Sequence, residues 1–351
     1  MSSSPVPQRA NLEQVAAIAG VSRATVSRVV NGWASVTPEL RARVELAIAE
    51  LGYVPNQAAR TLVTRRTDAI ALVASEPDRR VFGDPFFSAI IRGVSQELIA
   101  AGVQMTMLMA QTYADIDRIG RYLGTAPIDG VLLISEHAAY DPLPAALVAA
   151  GVPLVIGGRP MQPDLAIPYV DNDNVGGARL AAEHLVARGR TVIGTVTGPD
   201  DMSAGLDRLA GFAAGLGTAF RATRTEAGDF TQASGEDATL RLLARVPDLD
   251  GLFAASDLMA LGALRALRRS GRRVPDDVAV VGFDDISQSA EAEPPLSTIR
   301  QQTLLQGRAM ARLILARTRP DLVPDAETGL PDLRGLDHVV LPVELVVRES
   351  S

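Results

Sequence analysis

The chain of 351 residues has no cysteine and no lysine, and aromatic residues make up only 4% of it. Without cysteine, disulfides and thiolate metal sites are excluded. Three scattered histidines, His137, His184 and His338, do not compose an imidazole metal centre, so neither a metal nor another cofactor is expected. All 34 basic residues are arginine, a bias that genomic composition explains by itself. There is no Gly-x-Ser-x-Gly elbow, no phosphate loop with its lysine and no cluster of His with Ser or Asp, so the chain is not expected to be an enzyme. No apolar run reaches membrane-spanning length, and residues 1–11 carry Ser, Pro and one Arg in place of a signal-peptide core. A cytoplasmic protein without membrane contact is expected.

Hydrophobic residues make up 47%, with Ala, Val and Leu supplying most of the apolar mass, a balance that suits helices packed on parallel strands. The net charge of -7 conceals a split. Residues 1–67 hold eight Arg and four Glu, hence +4, and the remainder carries -11. A basic head on an acidic body directs polyanions to the head.

That head reads as three short helices. Leu12, Val15, Ala16 and Ala19 follow the i, i+3, i+4, i+7 spacing of an amphipathic helix that Gly20 ends. Ser22 caps a second helix from Arg23 to about Asn31, with Val26, Val29 and Val30 inward. Thr37-Pro38-Glu39 opens a third, which runs to Leu51 and stops at Gly52. Two short helices across a tight turn make a helix-turn-helix. The outward face of the second carries Arg23, Thr25, Ser27 and Arg28. Arginine can fork onto guanine O6 and N7, and hydroxyls near a helix N-terminus suit phosphate oxygens. A solvated face of a helical adaptor has the same composition.

The runs Leu12-Glu13-Gln14-Val15-Ala16, Ala19-Gly20-Val21-Ser22-Arg23-Ala24-Thr25-Val26-Ser27-Arg28-Val29-Val30-Asn31-Gly32, Leu51-Gly52-Tyr53-Val54-Pro55-Asn56 and Ala58-Ala59-Arg60-Thr61-Leu62 resemble the headpiece and hinge of the LacI/GalR family of repressors. By that resemblance Arg23, Ala24 and Arg28 fall where the family reads bases, and Ser22, Thr25 and Asn31 where it contacts phosphate. Ala24 can at most touch a thymine methyl. Ala59 and Leu62 fall in the hinge, where paired helices of two subunits wedge leucines into the minor groove of palindromic operator DNA. The resemblance implies a headpiece over 1–54, a hinge over 55–67 and an effector and dimerisation domain over 68–351. It also implies a nucleoid-associated homodimer. No heptad tail follows, so no tetramer-forming coil is expected.

From residue 68, strand-like and helical runs alternate in two series, which means two lobes of parallel sheet covered by helices. Lobe N is expected over about 68–171 and 300–335, and lobe C over about 172–299 and 336–348, the last strand running from His338 to Val347. Ligands bind beyond the carboxyl ends of such strands. The polar residues there are Ser75, Arg159, Arg208, Ser256, Asp257 and Asp284, with Phe86 and Phe230 available to face an apolar sugar surface. Taken singly, each suits a cap or surface ion pair equally well. Adjacent Asp284 and Asp285 point oppositely along a strand and cannot flank one bond together.

The stretches Asp84-Pro85-Phe86-Phe87, Arg208-Leu209-Ala210-Gly211-Phe212, Ser256-Asp257-Leu258-Met259-Ala260 and Val281-Gly282-Phe283-Asp284-Asp285 are similar to the family's effector-domain signatures. They imply a two-lobed fold like that of periplasmic binding proteins, with Arg208 and Asp284 as principal ligand contacts and Phe230 as a stacking ring. Ser256 departs from a common Asn, and Gly158 beside Arg159 from an Asp. Ser75-Glu76-Pro77 and Arg80-Val81-Phe82-Gly83 resemble actinobacterial members that sense cello-oligosaccharides or related glucosides. The expected function is a sugar-responsive DNA-binding repressor of carbohydrate genes. A corepressor-dependent regulator with another ligand, or a sugar receptor without a DNA role, would use the same cleft.

Overall fold

The computed structural model describes residues 10–30, 33, 35–53, 67–137, 141–324, 330 and 332–351. The chain divides into two compact units, Met1–Thr67 and Asp68–Ser351.

The first unit is a cluster of three helices, α1 (Leu12–Ala19), α2 (Arg23–Val30) and α3 (Pro38–Leu51). Asn11 starts α1 with a capping box. Its side chain accepts from the Glu13 and Gln14 amides, and its own amide donates to Gln14 Oε1 at 2.9 Å. Gly20 ends α1 at φ 62°, a left-handed conformation that glycine adopts without strain. The Arg43 guanidinium of α3 donates to the Ala19 carbonyl at 2.7 Å, so α3 also covers the open end of α1. Val15, Val26 and Val44 are fully buried, one from each helix, and Ala47 and Tyr53 close the small core.

The second unit is built on two six-stranded sheets. The N lobe begins with β1 (Ala69–Ala74), α4 (Asp78–Gly83), α5 (Pro85–Ala100), β2 (Gln104–Met109), α6 (Tyr113–Leu123), β3 (Gly130–Ile134), α7 (Leu143–Ala149), β4 (Leu154–Gly157) and β5 (Tyr169–Asn172). The C lobe takes α8 (Asn174–Ala187), β6 (Ile193–Thr197), α9 (Ser203–Leu216), β7 (Thr225–Ala227), α10 (Gln232–Arg245), β8 (Gly251–Ala254), α11 (Asp257–Arg269), β9 (Ala279–Asp284), α12 (Ser287–Glu291) and β10 (Ser297–Arg300). The chain then returns to the N lobe with α13 (Thr303–Thr318) and β11 (His338–Leu341), and ends in the C lobe with β12 (Glu344–Val346).

The N-lobe sheet runs β11-β5-β4-β3-β1-β2, all parallel, with Leu72 opposite Met107 and Leu132. The C-lobe sheet runs β12-β10-β9-β8-β6-β7, parallel except for the antiparallel β10–β12 pair. Continuous apolar strands follow from burial on both faces. Ile70 and Leu72 join one core with α5 and α13, while Ala71 and Val73 join another with α6 and α7. The helix α13 presses its Ala309–Leu315 stretch into the N lobe. Beside it Glu97 of α5, itself buried, accepts from Arg308 at 2.6 Å and Arg312 at 2.8 Å.

The expected placement of residues 336–348 in lobe C is corrected for its first half. β11 pairs with β5 in the N-lobe sheet, and only β12 reaches the C lobe. Pro342 breaks the expected single strand, because proline cannot donate to a ladder. The chain therefore passes between lobes three times, after Asn172, after Arg300 and after Leu341. Among the described residues no helix is long and apolar enough to cross a membrane.

Candidate functional site

In the first unit, Ser22, Arg23, Ala24 and Arg28 are exposed on α2 and Thr25 is half-buried. Ser22 Oγ accepts from the Thr25 amide at 3.1 Å and lies 2.9 Å from Thr25 Oγ1, so one hydroxyl pair caps the helix start. Arg23 rests 3.6 Å from Glu13, an exposed pair that holds it weakly. Arg23 at the start of α2 and Arg28 in its last turn are thus both open to solvent. Asn31, Ala59 and Leu62 lie outside the described residues.

In the second unit a cleft lies between the carboxyl ends of the two sheets, with about 710 Å³ of space between its walls that is continuous with solvent. Its centre is Arg208 of α9, which is buried. Its Nε donates to Asn174 Oδ1 at 2.8 Å, and its Nη1 donates to the Ala255 carbonyl at 2.6 Å and to Asp284 Oδ1 at 3.4 Å. The guanidinium lies 3.8 Å from the Phe283 ring centroid and 5.7 Å from that of Phe230. Arg80 covers Phe230 at 5.3 Å. Phe230 itself sits in a left-handed turn, φ 66°, after β7, and its ring occupies the space where a Cβ on Gly198 would fall. Burial lowers the Arg208 pKa from its usual value, against the pull of Asp284, Asp171, Asp257 and Asp84. Arginine stays charged nonetheless.

The carboxylates of the cleft shift the other way. Burial holds Asp284 well above the ordinary range despite Arg208, and Asp257 and Asp84 add to the rise. Burial raises Asp84 although it accepts from the Phe86 amide at 2.9 Å as the cap of α5. Asp171, at the end of β5, is pushed up to about 6 by burial, with Asp207 contributing and Arg208 opposing. Acceptors and donors interleaved around an aromatic ring suit a ligand rich in hydroxyl groups with one apolar face.

Six of the eight effector residues expected from sequence line this cleft: Phe86, Arg159, Arg208, Phe230, Ser256 and Asp284. Ser256 also caps α11, accepting from the Met259 amide at 3.2 Å. Arg159 is committed to a two-pronged ion pair with Asp207 of the other lobe, at 2.9 and 2.8 Å. The structure does not place Ser75 and Asp257 on the cleft wall. Ser75 donates to Asp141 Oδ2 at 2.8 Å, away from the cleft. Asp257 is fully buried, and accepts from Ser289 at 2.6 Å, Thr298 at 2.5 Å and the Ile286 amide at 3.0 Å. Its carboxylate ties α11 to the segments around α12 and β10, and burial pushes it up to about 7. Arg80, Asp84, Glu136, Asp171 and Asn174 line the cleft and escaped the sequence reading. Asp171 and Asn174 carried one usable signal, polar side chains at the end of an apolar strand, which goes unseen when Tyr169–Asn172 is not recognised as a strand.

Residues 11–56 match the bacterial regulatory proteins of the lacI family, and residues 182–351 match the periplasmic binding protein-like domain. The chain is 49% identical to the HTH-type transcriptional regulator CelR of Thermobifida fusca, over 98% of this chain and 99% of that one. It is 32% identical to the ribose operon repressor of Halalkalibacterium halodurans, over 97% and 96%. Among solved structures, a transcriptional regulator CelR–cellobiose complex aligns at TM-score 0.75 and 47% identity, over 98% of this chain and 100% of that one. The lac repressor dimer bound to operator and the anti-inducer ONPF aligns at TM-score 0.81 and 29% identity, over 98% and 99%. With a helix-turn-helix head, a two-lobed body and relatives matched end to end, the chain belongs to the lacI family of bacterial regulatory proteins.

Proposed function

We propose that this protein is a homodimeric repressor of carbohydrate genes that binds a palindromic operator through α2 and is released by a β-linked glucoside such as cellobiose. The observation that carries the effector half is the cleft itself. Arg208 and Asp284 offer donor and acceptor side by side, next to the mostly buried ring of Phe230. Relatedness supports the same class, since a relative 47% identical in sequence is a cellobiose complex. On the DNA side, Arg23 and Arg28 are the base readers, and Ser22 and Thr25 phosphate contacts. Ligand closure of the two lobes lowers operator affinity.

To move an operator from mostly occupied to mostly free, the ligand must prefer the low-affinity state by roughly 5 kcal/mol. The test is a gel shift on palindromic sites upstream of neighbouring genes, titrated with cellobiose and other glucosides. Release by a glucoside is the expected result. Operator affinity unchanged by any glucoside refutes the reading, and tighter binding with glucoside makes the protein corepressor-dependent.

A further inference from the structure

Among the described residues, two that line the cleft each carry a buried side-chain atom without a protein hydrogen-bond partner: Glu136 Oε1 and Arg80 Nε. A buried polar atom without a protein partner is a cost that native structures relieve with a water or a ligand. Both side chains are already fixed by their remaining atoms. Glu136, which follows β3, accepts from the Met161 amide through Oε2 at 3.1 Å, and only 7% of the residue is exposed. Arg80 sets Nη1 against Glu76 Oε1 at 2.6 Å and lays its guanidinium over Phe230. Each thus presents one leftover atom from a held position, the one an acceptor and the other a donor.

The remaining cations of the cleft are engaged, Arg159 with Asp207 and Arg208 with Asn174, Ala255 and Asp284. An entering anion would meet the Glu136 carboxylate, and Arg80, whose N–H is left over, already sets its charge against Glu76. A hydroxyl group suits both leftover atoms, since it donates to one and accepts from the other.

We infer that Glu136 and Arg80 are specificity-determining residues through which the N lobe reads two hydroxyl groups of an uncharged sugar, and that Glu136 excludes phosphorylated sugars. This rests on the sugar reading of the cleft. With no donor against Oε1, burial holds the Glu136 carboxyl above its ordinary range, and a hydroxyl donor would relieve that.

The test is calorimetric titration of the full chain with cellobiose, a panel of monodeoxy-cellobioses and cellobiose 6-phosphate. The wild-type protein should lose about tenfold or more in affinity when one particular hydroxyl is deleted. Glu136→Gln, which keeps the shape and the Met161 contact, should bind cellobiose about tenfold more weakly and no longer distinguish that deoxy sugar. Arg80→Met should become blind to a different hydroxyl, which provides an independent readout if one variant fails to fold. The preference for cellobiose over its phosphate should narrow in Glu136→Gln. Variants that keep the wild-type ranking across the panel overturn the assignment. A wild-type protein that binds no neutral glucoside at all instead overturns the sugar reading, and this inference with it.

Discussion

Arg28 and Asp171 illustrate how differently two charged residues act according to what surrounds them. Arg28 is exposed on α2 and forms no ion pair among the described residues, so under the proposed operator reading its charge would act on DNA. Arg28→Ala is expected to cost about 1–3 kcal/mol of operator binding and to relax selectivity at one base pair per half-site. Binding assays on single-base operator variants check this, and equal weakening on every sequence would mean a phosphate contact only. Asp171 is buried, and although the Asn172 amide and Asn174 Nδ2 donate to it at 2.8 and 3.0 Å, its carboxyl is pushed up to about 6 from 3.8. The folded state then binds a proton more tightly than the unfolded chain, so stability is lost as pH rises through the window from about 4 to about 6 and stays level above it. Asp171→Asn removes that dependence. In urea unfolding across the window, the variant should lose roughly 2–3 kcal/mol less stability than the wild-type protein. Parallel pH profiles for the two proteins would defeat the assignment.

At the scale of elements, the tight helix pair of the N lobe is decided by two glycines. A Cβ on Gly307 of α13 would lie 2.4 Å from the Ile90 carbonyl oxygen of α5, and one on Gly93 of α5 would lie 2.2 Å from the Leu304 carbonyl oxygen. Alanine favours a helix interior over glycine by about 1 kcal/mol, whereas overpacking a core costs about 1–3 kcal/mol, and a backbone oxygen this close leaves nothing flexible to yield. Gly307→Ala is therefore expected to lower the unfolding free energy by a net of up to about 2 kcal/mol, read by urea denaturation. A gain would show that the two helices can slide apart.

Such pairings mark the limit of what the sequence discloses. Elements with a strong period and a stop signal, such as α1 before Gly20 or β3 after Asp129-Gly130, were legible because their cause is local. The short β5 strand and the switch of the chain between sheets at Pro342 were not, since their partners lie far away in sequence. The cleft divided in the same way. Arg208 and Asp284 stood at strand ends or in recognisable runs. Ser75 and Asp257 stood in equally suggestive places, yet their orientation was decided by distant partners, Asp141 for one and Ser289 with Thr298 for the other. Glu136 and Arg80 acquire meaning only when three-dimensional burial shows which of their atoms are left over.

For the molecule as a regulator, the relevant contacts are those joining the lobes across the cleft. Arg159 of the N lobe grips Asp207 of the C lobe with two hydrogen bonds, and His137 of the N lobe lies 2.9 Å from Asp201 of the C lobe. Burial lowers the His137 pKa, but hydrogen bonds to Glu76 and Asp201 outweigh it and raise the net value. That tie is at full strength in mild acid and weakens as pH rises through the raised value. Arg159 is 40% exposed, so solvent screens its pair, and about 0.5–1 kcal/mol is its reasonable worth. Under the proposed release mechanism, throwing the switch takes roughly 5 kcal/mol, so a clasp of this size would bias closure without commanding it. Asp207→Asn should accordingly shift the cellobiose concentration for half-release of operator by about two- to fivefold, toward higher sugar, and leave complete release attainable. An operator titration with cellobiose reads both quantities at once. A variant that can no longer be released at saturating sugar would make the clasp the switch itself, and an unmoved midpoint would make it an ordinary surface ion pair.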